Sequence, residues 1–172
     1  MTIEREGAFT WGGKAMAVAG RELSVGDQAP DATLVANDFS QVKLSDYAGK
    51  VRLISAVPSL DTSVCDMQTH RLNQEAGKIS DDVVVLTISA EFPLNQRRWC
   101  GASGLDHVIV LSDHMNMNFG VAYGTYVKER RAEQRSVFVV DRDGIIRYAE
   151  YVPVIGTHPD YDAVLAAVRE IV

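Results

Sequence analysis

The chain has 172 residues, of which 47% are apolar and 23% charged, figures close to those of an average soluble globular domain. Its formal net charge of -6 disfavours general binding to a nucleic-acid backbone. The longest aliphatic runs, at residues 83–86 and 108–111, have four residues each, whereas a membrane-spanning helix needs roughly 20. We therefore expect one domain over residues 1–172 that binds neither nucleic acid nor a membrane.

The N-terminus and the cysteine content indicate where the protein works. Glu4-Arg5-Glu6 stands where a secretory signal would place a basic segment followed by a long apolar core, so we expect a cytoplasmic protein. A permanent disulfide is disfavoured in that reducing compartment. The two cysteines therefore predict transient redox chemistry or simple burial as small apolar residues.

The first third of the chain predicts short extended elements. Residues 9–23 carry apolar side chains on both sides of Gly12-Gly13, which favours a hairpin because glycine reaches the positive φ angles of a tight turn. We expect this hairpin to be an N-terminal appendage within residues 1–23. Two short strands are predicted at 32–35 and 42–44. Ser45 is expected to cap one helical turn that ends at Gly49.

From residue 51 onward, strand and helix patterns alternate. Runs rich in β-branched residues predict strands at 51–57, 83–89, 108–111, 136–140 and 145–152. Helical spacing is found at 64–79, where one face holds Val64, Met67, Leu72, Ala76 and Ile79, and also at 94–100, 115–123 and 159–172. Pro159 is expected in the first turn of the last helix. The order β-α-β-α-β-α-β-β-α predicts an α/β, thioredoxin-like fold with a mixed sheet flanked by helices.

Cys65 lies where the first regular strand passes into a helix. The pattern places it in the first helical turn, where free backbone N–H groups and the helix dipole favour a thiolate. Thr62, three residues earlier, is expected to cap the Cys65 N–H or to touch the sulfur. Pro58 stiffens the preceding loop and helps to exclude water. Asp66 opposes a thiolate unless its side chain points to solvent.

These residues form a recognisable motif. Pro58-x-x-x-Thr62-x-x-Cys65 resembles the active-site motif of the peroxiredoxins, and the full string from 58 to 65 is similar to their bacterial thiol peroxidase subfamily, the atypical two-cysteine peroxiredoxins. Segments 25–30, 97–104 and 135–141 also resemble landmarks of the family, in the same order along the chain. The resemblance covers the chain from about residue 7 onward.

The resemblance implies a thiol-dependent peroxidase that uses no metal and no organic cofactor. Cys65 would be the peroxidatic thiolate, which attacks hydrogen peroxide or an organic hydroperoxide and becomes a sulfenic acid. Thr62 would hydrogen-bond the sulfur and the peroxide oxygen, Arg135 would supply a fixed positive charge, and Pro58 would shield the pocket. A surface ion pair of Arg135 with Glu133 or Asp141 is the alternative for that arginine.

Cys100 is implied to be the resolving cysteine of the same chain. It lies 35 positions after Cys65, too far for a Cys-x-x-Cys redox pair or a local zinc site. The resemblance implies an intramolecular disulfide that thioredoxin reduces, and a homodimer. Bridged cysteines need Cα atoms within about 7 Å, so we expect local unwinding after Thr62 and around residues 94–101, which Trp99 fluorescence should report. Burial as an apolar residue is the alternative for Cys100.

Other functions receive less support from the sequence. A thiol-disulfide oxidoreductase lacks its Cys-x-x-Cys motif, whereas a non-catalytic redox sensor that uses the same disulfide stays open as an alternative. The segment 127–134 is more charged than the resemblance implies and leaves the preferred peroxide open. Asp141-Arg142-Asp143-Gly144 predicts a turn rather than a calcium loop. The histidines have no metal-ligand spacing; they are His70, His107, His114 and His158.

Overall fold

A seven-stranded sheet and a smaller four-stranded sheet organise the chain, whose computed structural model describes residues 1–106 and 108–172. The strands are β1 (Glu4–Trp11), β2 (Lys14–Ala19), β3 (Thr33–Val35), β4 (Gln41–Lys43), β5 (Val51–Ala56), β6 (Val83–Ser89), β7 (Ile109–Ser112), β8 (Tyr126–Val127), β9 (Ala132–Glu133), β10 (Ser136–Val140) and β11 (Ile146–Tyr151). The helices are α1 (Ser63–Ala76), α2 (Pro93–Ser103), α3 (Asn118–Tyr123) and α4 (Tyr161–Ile171), with 3-10 turns at Leu44–Tyr47 and Lys128–Arg130.

The large sheet has the strand order β11-β10-β5-β6-β7-β3-β4. The central strands β5, β6 and β7 run parallel, while β10 and β3 pair antiparallel on either side. Every residue of β5 is buried, as expected for a parallel strand that is covered on both faces. The predicted mixed sheet is therefore confirmed, and the end of β5 leads directly to the loop before α1.

Helices cover both faces of this sheet. Leu53 and Ile54 alternate between the faces because successive strand residues point to opposite sides. Leu72 of α1 and Val168 of α4 pack on the Leu53 face, and Phe119 of α3 belongs to the core of the other face. Each fully buried side chain of this size contributes about 1.5–3 kcal/mol to the stability of the fold. The helices are thus fixed to the sheet by apolar packing.

The N-terminal hairpin forms as predicted but is less separate than expected. Gly12 and Gly13 form its turn with φ angles of 59° and 77°. The paired strands are β1 and β2, so the hairpin begins and ends earlier than the predicted 9–23. It continues into the small sheet, with order β1-β2-β8-β9, and β9 leads directly to Arg135 and β10. The hairpin therefore supports the segment that carries a predicted site residue.

Two predicted helix starts are wrong. Ser45 does not cap its turn, because the 3-10 helix already begins at Leu44 and the Ser45 hydroxyl donates to the Asp31 carboxylate at 2.8 Å. Pro159 lies outside α4, where Asp160 is the N-cap and its carboxylate accepts the Ala163 N–H at 3.0 Å. Helix α4 therefore begins where the Asp160 carboxylate can accept a hydrogen bond from an N–H group that has no partner within the helix.

No helix within residues 1–106 and 108–172 is long and apolar enough to cross a membrane. The longest of them, α1, has 14 residues and carries polar side chains on most of its surface.

Candidate active site

The end of β5 and the start of α1 place Cys65 in the first turn of a helix, as predicted. Thr62 is the N-cap residue in an extended conformation, with φ -110° and ψ 149°. The Asp66 N–H donates to the Thr62 carbonyl at 2.9 Å, which closes the first turn around Cys65. Pro58 follows β5 and is buried. The free N–H groups and the positive end of the α1 dipole therefore lie at the level of Cys65.

Arg135 is the residue that gives the Cys65 sulfur its electrostatic environment. Both side chains are fully buried, and the Arg135 Nη2 donates to the Cys65 Sγ at 3.3 Å. The other hydrogen bonds of the guanidinium go to the Gln68 Oε1 at 2.8 Å and to the Ile155 carbonyl at 2.7 Å. The alternative of a surface ion pair with Glu133 or Asp141 is therefore wrong.

The charge of Arg135 is compensated in an unusual way. A guanidinium stays protonated in proteins, and a buried charge is costly unless hydrogen bonds or an opposite charge compensate it. Among the hydrogen-bond acceptors described for Arg135, the amide and the carbonyl are neutral, and the Cys65 sulfur is the one that can ionise. The guanidinium therefore faces the Cys65 sulfur with no carboxylate among its described hydrogen-bond partners.

Gln68 is a site residue that the sequence analysis missed. It lies one turn after Cys65, is fully buried, and donates from Nε2 to the Ser55 Oγ at 2.8 Å while its Oε1 accepts from Arg135. The signal was its spacing of three residues from Cys65, which places both on one helix face. Met67, which was predicted on the buried face, is instead 56% exposed. The buried face of α1 is thus partly polar and holds the guanidinium in place.

Thr62 does not make the contacts that were predicted for it. Its hydroxyl donates to the Ser59 carbonyl at 3.2 Å, and the N-cap side chain makes no capping hydrogen bond. The predicted bond to the Cys65 N–H is therefore wrong. The hydroxyl is used instead within the preceding loop, where the Ser59 carbonyl accepts its hydrogen bond.

Glu91, just after β6, fixes the loop in front of Cys65 and was also missed. Its carboxylate accepts from the Ser59 hydroxyl at 2.9 Å, from the Leu60 N–H at 2.9 Å and from the Ser89 hydroxyl at 2.7 Å. Hydrogen bonds to an ionised carboxylate are stronger than those between neutral groups. The loop between β5 and α1 is therefore anchored to the end of the neighbouring strand.

Cys100 lies on α2 in a neutral environment. Its sulfur accepts from the Asn37 Nδ2 at 3.5 Å, and burial raises the pKa of its thiol. Cys65, Leu60 and Val110 form an apolar cluster, and the partly buried Cys100 packs against it. Both cysteines are free thiols and are not within disulfide distance of each other. The structure thus brings them to one cluster without joining them.

Asp66 points away from the Cys65–Arg135 pair. Its carboxylate accepts from the Trp99 Nε1 at 3.0 Å and lies 3.5 Å from the His70 Nδ1, with its side chain 45% exposed. The negative charge next to Cys65 in sequence is therefore directed toward α2 and solvent, which was the condition for a thiolate to form beside it.

The segment before Arg135 contains a buried carboxyl pair. Burial and the nearby Asp113 raise the pKa of Glu133 well above its usual range, and burial also raises the pKa of Asp113. The Glu133 Oε1 is buried and receives no hydrogen bond, although Thr125 donates to Oε2. A protonated Glu133 needs no donor at this oxygen and can itself donate a hydrogen bond to the Asp113 carboxylate. The pair fixes β9 directly before Arg135.

Three of the four histidines, for which no role as metal ligands was predicted, have ordinary hydrogen-bond partners. His70 contacts backbone carbonyls, His114 contacts the Ser112 hydroxyl, and His158 contacts the Tyr161 hydroxyl. His107 lies outside the described residues. Within the described part of the chain, His, Cys, Asp and Glu form no group of three that could hold a metal ion.

Comparison with known proteins identifies the family of the chain. The model of the Redoxin family matches residues 24–165. A thiol peroxidase of Bacillus subtilis (strain 168) is 50% identical over 164 residues, which cover 95% of this chain and 98% of the relative. A thiol peroxidase of Staphylococcus aureus (strain MRSA252) is 49% identical over 163 residues, with 95% and 98% covered. The chain belongs to the bacterial thiol peroxidases of the redoxin family.

Solved structures agree with this membership. A peroxiredoxin-like protein from Aquifex aeolicus has a TM-score of 0.85 and 33% identity, covering 93% of this chain and 94% of its own. A thiol peroxidase from Chromobacterium violaceum has a TM-score of 0.84 at 19% identity, with 94% and 95% covered, and shows the shared fold. The predicted thioredoxin-like fold and the predicted enzyme class, a peroxiredoxin-type thiol peroxidase, are therefore confirmed.

Proposed function

We propose that this thiol peroxidase reduces hydrogen peroxide and alkyl hydroperoxides with Cys65 as the peroxidatic residue. The thiolate attacks one peroxide oxygen, so that an S–O bond forms while the O–O bond breaks. Cys65 becomes a sulfenic acid, and water or an alcohol leaves after taking up a proton. The hydrogen bond of 3.3 Å from the buried Arg135 to the Cys65 sulfur is the observation that carries this proposal.

Arg135 has two roles in this step. Its charge stabilises the thiolate before reaction, and a fixed donor beside the reacting atoms stabilises the charge that moves to the leaving oxygen. Gln68 acts as a positioning residue, because its amide holds the guanidinium on one side and Ser55 on the other. Pro58, which has no N–H and is buried in the loop after β5, is proposed to shield the sulfur from water.

Thr62 is proposed to contact the peroxide at the rim of the site. Its side chain is exposed at the N-cap of α1, and its hydroxyl is held by a neutral carbonyl, that of Ser59. Rotation of the side chain away from Ser59 frees the hydroxyl to donate to a bound peroxide oxygen.

Cys100 is proposed to resolve the sulfenic acid. Its thiolate attacks the Cys65 sulfur, an S–S bond forms, and the hydroxyl leaves as water after protonation. Because the two sulfurs are not within bonding distance, the first turn of α1 and residues 94–101 of α2 must unwind locally. Two electrons from the dithiol of thioredoxin then restore both thiols. We infer that this cycle runs in the cytoplasm, where thiols are kept reduced.

A single-turnover experiment tests the proposal. The reduced protein is mixed with one equivalent of cumene hydroperoxide, and tryptophan fluorescence and free thiols are followed. We expect rapid loss of both thiols, and continuous NADPH consumption when thioredoxin and its reductase are added. Oxidation as slow as that of a small free thiol would contradict the proposal. Rapid oxidation without turnover would favour the alternative, a redox sensor.

Cysteine variants separate the two proposed roles. Cys65→Ser should abolish peroxide reduction, whereas Cys100→Ser should undergo the first oxidation and stop at the sulfenic acid. The sulfenic acid is measured by dimedone labelling and mass spectrometry. Normal cycling of Cys100→Ser with thioredoxin would show that Cys100 is not the resolving residue.

A homodimer is proposed on the basis of the family resemblance. An exposed aromatic pair next to α2 supports it, since Phe39 and Phe92 are 48% and 46% exposed and their rings lie 5.5 Å apart. Exposed aromatic pairs are typical of protein interfaces. Sedimentation velocity should give twice the chain mass of 18.9 kDa, and Phe92→Ser should shift the distribution toward the monomer.

A further inference from the structure

A polar cluster joins the two helices that carry the cysteines. It consists of Asp66 and His70 on α1 and of Trp99 and Ser103 on α2, and we call it the α1–α2 latch. Asp66 directly follows Cys65, and Trp99 directly precedes Cys100. The Trp99 Nε1 donates to Asp66 at 3.0 Å, and the His70 and Trp99 rings meet edge to face at 5.7 Å. The latch therefore spans the contact that must open before Cys100 can reach Cys65.

The hydrogen bonds of His70 define its protonation state. Its Nδ1 lies 2.9 Å from the Asp66 carbonyl and its Nε2 lies 2.9 Å from the Ser103 carbonyl. Carbonyl oxygens only accept hydrogen bonds, and a neutral imidazole has a single N–H. Both bonds can therefore exist together only when both ring nitrogens are protonated. The arrangement therefore suits an imidazolium at His70.

The surroundings of His70 suit a cation. Ser103 is the last residue of α2, so its carbonyl belongs to the negative end of that helix. On α1, the Asp66 carboxylate lies 3.5 Å from Nδ1 and is the charged group that faces the ring. From α2, the ring meets Trp99 and the Ser103 carbonyl, which do not titrate. Burial opposes the charge, but the two carbonyl bonds and Asp66 outweigh it and raise the pKa of His70.

We propose that His70 is a positioning residue that, as an imidazolium, holds α2 against α1 and thereby slows formation of the Cys65–Cys100 disulfide. Only the bond to the Ser103 carbonyl crosses from α1 to α2. Loss of one proton leaves the ring a single N–H for the two carbonyls and removes its attraction to the negative end of α2, so the contact between the helices weakens. Unwinding of α2 then becomes easier, so the resolution step accelerates. This inference rests on the proposed function, in which the two helical segments separate locally during turnover.

The direction of the pH dependence follows from the raised pKa of His70. The latch is complete below the pKa of an unfolded histidine, about 6.5, and is lost as the pH rises through the higher value of the folded protein. An acidic medium therefore prolongs the lifetime of the Cys65 sulfenic acid. A longer lifetime leaves more time for a second peroxide to oxidise the same sulfur to the sulfinic acid.

Stopped-flow fluorescence in a Trp11→Phe background, where Trp99 is the remaining tryptophan, separates the two steps. The first phase reports oxidation of Cys65 and the second reports disulfide formation. At pH 6, His70→Gln should accelerate the second phase about tenfold over the parent, because a charge-assisted hydrogen bond is lost. At pH 8.5 the acceleration should be smaller than at pH 6, since the protonated fraction of the parent falls as the pH rises.

The ionisation of Cys100 affects the second phase equally in both proteins. Its contribution cancels when the variant rate is divided by the parent rate at each pH. The first phase should change less than about twofold, and Lys78→Gln, which removes an exposed cation just beyond α1, should leave both phases unchanged. An acceleration by His70→Gln that is equal at pH 6 and pH 8.5 would overturn the proposal, because a merely structural role has no such pH profile.

A second measurement does not depend on the variant. Nitrogen-15 chemical shifts of the parent histidines at pH 6 should show both ring nitrogens of His70 protonated, and a neutral tautomer would overturn the proposal. The proposed function fails separately, if Cys65 reacts with peroxide no faster than a free thiol. In that event diamide serves as the two-electron oxidant that forms the same disulfide. The ratio of the rates of disulfide formation in His70→Gln and in the parent then tests the latch.

Discussion

The two cysteines pack in one apolar cluster but receive hydrogen bonds of different kinds. Cys65 is fully buried and accepts from the Arg135 guanidinium, whereas Cys100 is half-buried and accepts from the neutral amide of Asn37. Burial raises the pKa of Cys100, and the amide dipole of Asn37 offsets only part of that cost. The comparison teaches that the charge of the donor, rather than the extent of burial, makes one sulfur the proposed nucleophile.

Removing the Arg135 guanidinium should abolish the difference in reactivity between the two cysteines. Arg135→Met should lower the second-order rate constant for oxidation of Cys65 by cumene hydroperoxide about 10²- to 10³-fold, because one preorganised donor at the reacting atoms is lost. Stopped-flow thiol loss in a Cys100→Ser background measures this rate. The matched control is Arg169→Met on the exposed face of α4, which should react as the parent does. An unchanged rate in Arg135→Met would contradict the role of the guanidinium.

The carboxyl pair behind Arg135 should make stability depend on pH. Because the pKa of Glu133 is raised in the folded state, the proton it holds stabilises the protein fully below the unfolded value near 4.3, and this contribution is lost as the pH rises. Glu133→Gln keeps a donor toward Asp113 at every pH. Between pH 5 and pH 8 the parent should therefore lose about 2 kcal/mol more unfolding free energy than the variant.

Urea unfolding at several pH values measures this slope. The exposed Glu129→Gln, which lies in the same segment, is the control and should keep the slope of the parent. Parallel pH profiles for the parent and Glu133→Gln would show that Glu133 carries no extra proton in the folded protein.

Gln68 sharpens the comparison, because it acts on Cys65 only through Arg135. Gln68→Leu leaves the guanidinium charge but removes one of its acceptors, so we expect oxidation of Cys65 to slow about tenfold. Gln74→Leu, on the exposed surface of the same helix, should have no effect on this rate. A loss as large as that of Arg135→Met would indicate that Gln68 does more than orient the guanidinium.

The smallest effect is expected at Cys100. The Asn37 amide partly offsets the burial that raises the pKa of this thiol. In a Cys65→Ser background, Asn37→Leu should therefore slow alkylation of Cys100 by iodoacetamide at pH 8 about two- to threefold, since the thiolate is the reactive form. The rate should rise with pH in both proteins. Faster alkylation in Asn37→Leu than in the exposed control Asn116→Leu would contradict the account.

Local patterns in the sequence were sufficient to place Cys65. The β-branched run that became β5 and the helical spacing of α1 put this residue in the first helical turn, and the motif resemblance pointed to Arg135. These predictions depended on residues close in sequence or on a motif with fixed spacing. The hairpin turn at Gly12 and Gly13 was predictable for the same reason, since both positions require positive φ.

The contacts that complete the site depend on strand order and register. The pairing of Val137 with Ser55 brings the segment after Arg135 alongside β5, so that Gln68 meets both Ser55 and Arg135. The pairing of β5 with β6 brings Glu91 to the loop before Cys65. The spacing of three residues places Gln68 on the helix face of Cys65, but its contacts with Ser55 and Arg135, like those of Glu91, follow from strand pairings that a single sequence does not show. The partner of the Thr62 hydroxyl was missed because it depends on the path of that loop.

The most direct test of the account compares the two sulfurs in matched single-cysteine proteins. Cys100→Ser retains Cys65, and Cys65→Ser retains Cys100, so each reacts alone with the same excess of cumene hydroperoxide at pH 7. The account predicts that Cys65 is oxidised about 10³-fold faster than Cys100, with dimedone labelling confined to Cys65 at early times. Equal rate constants for the two proteins would contradict it.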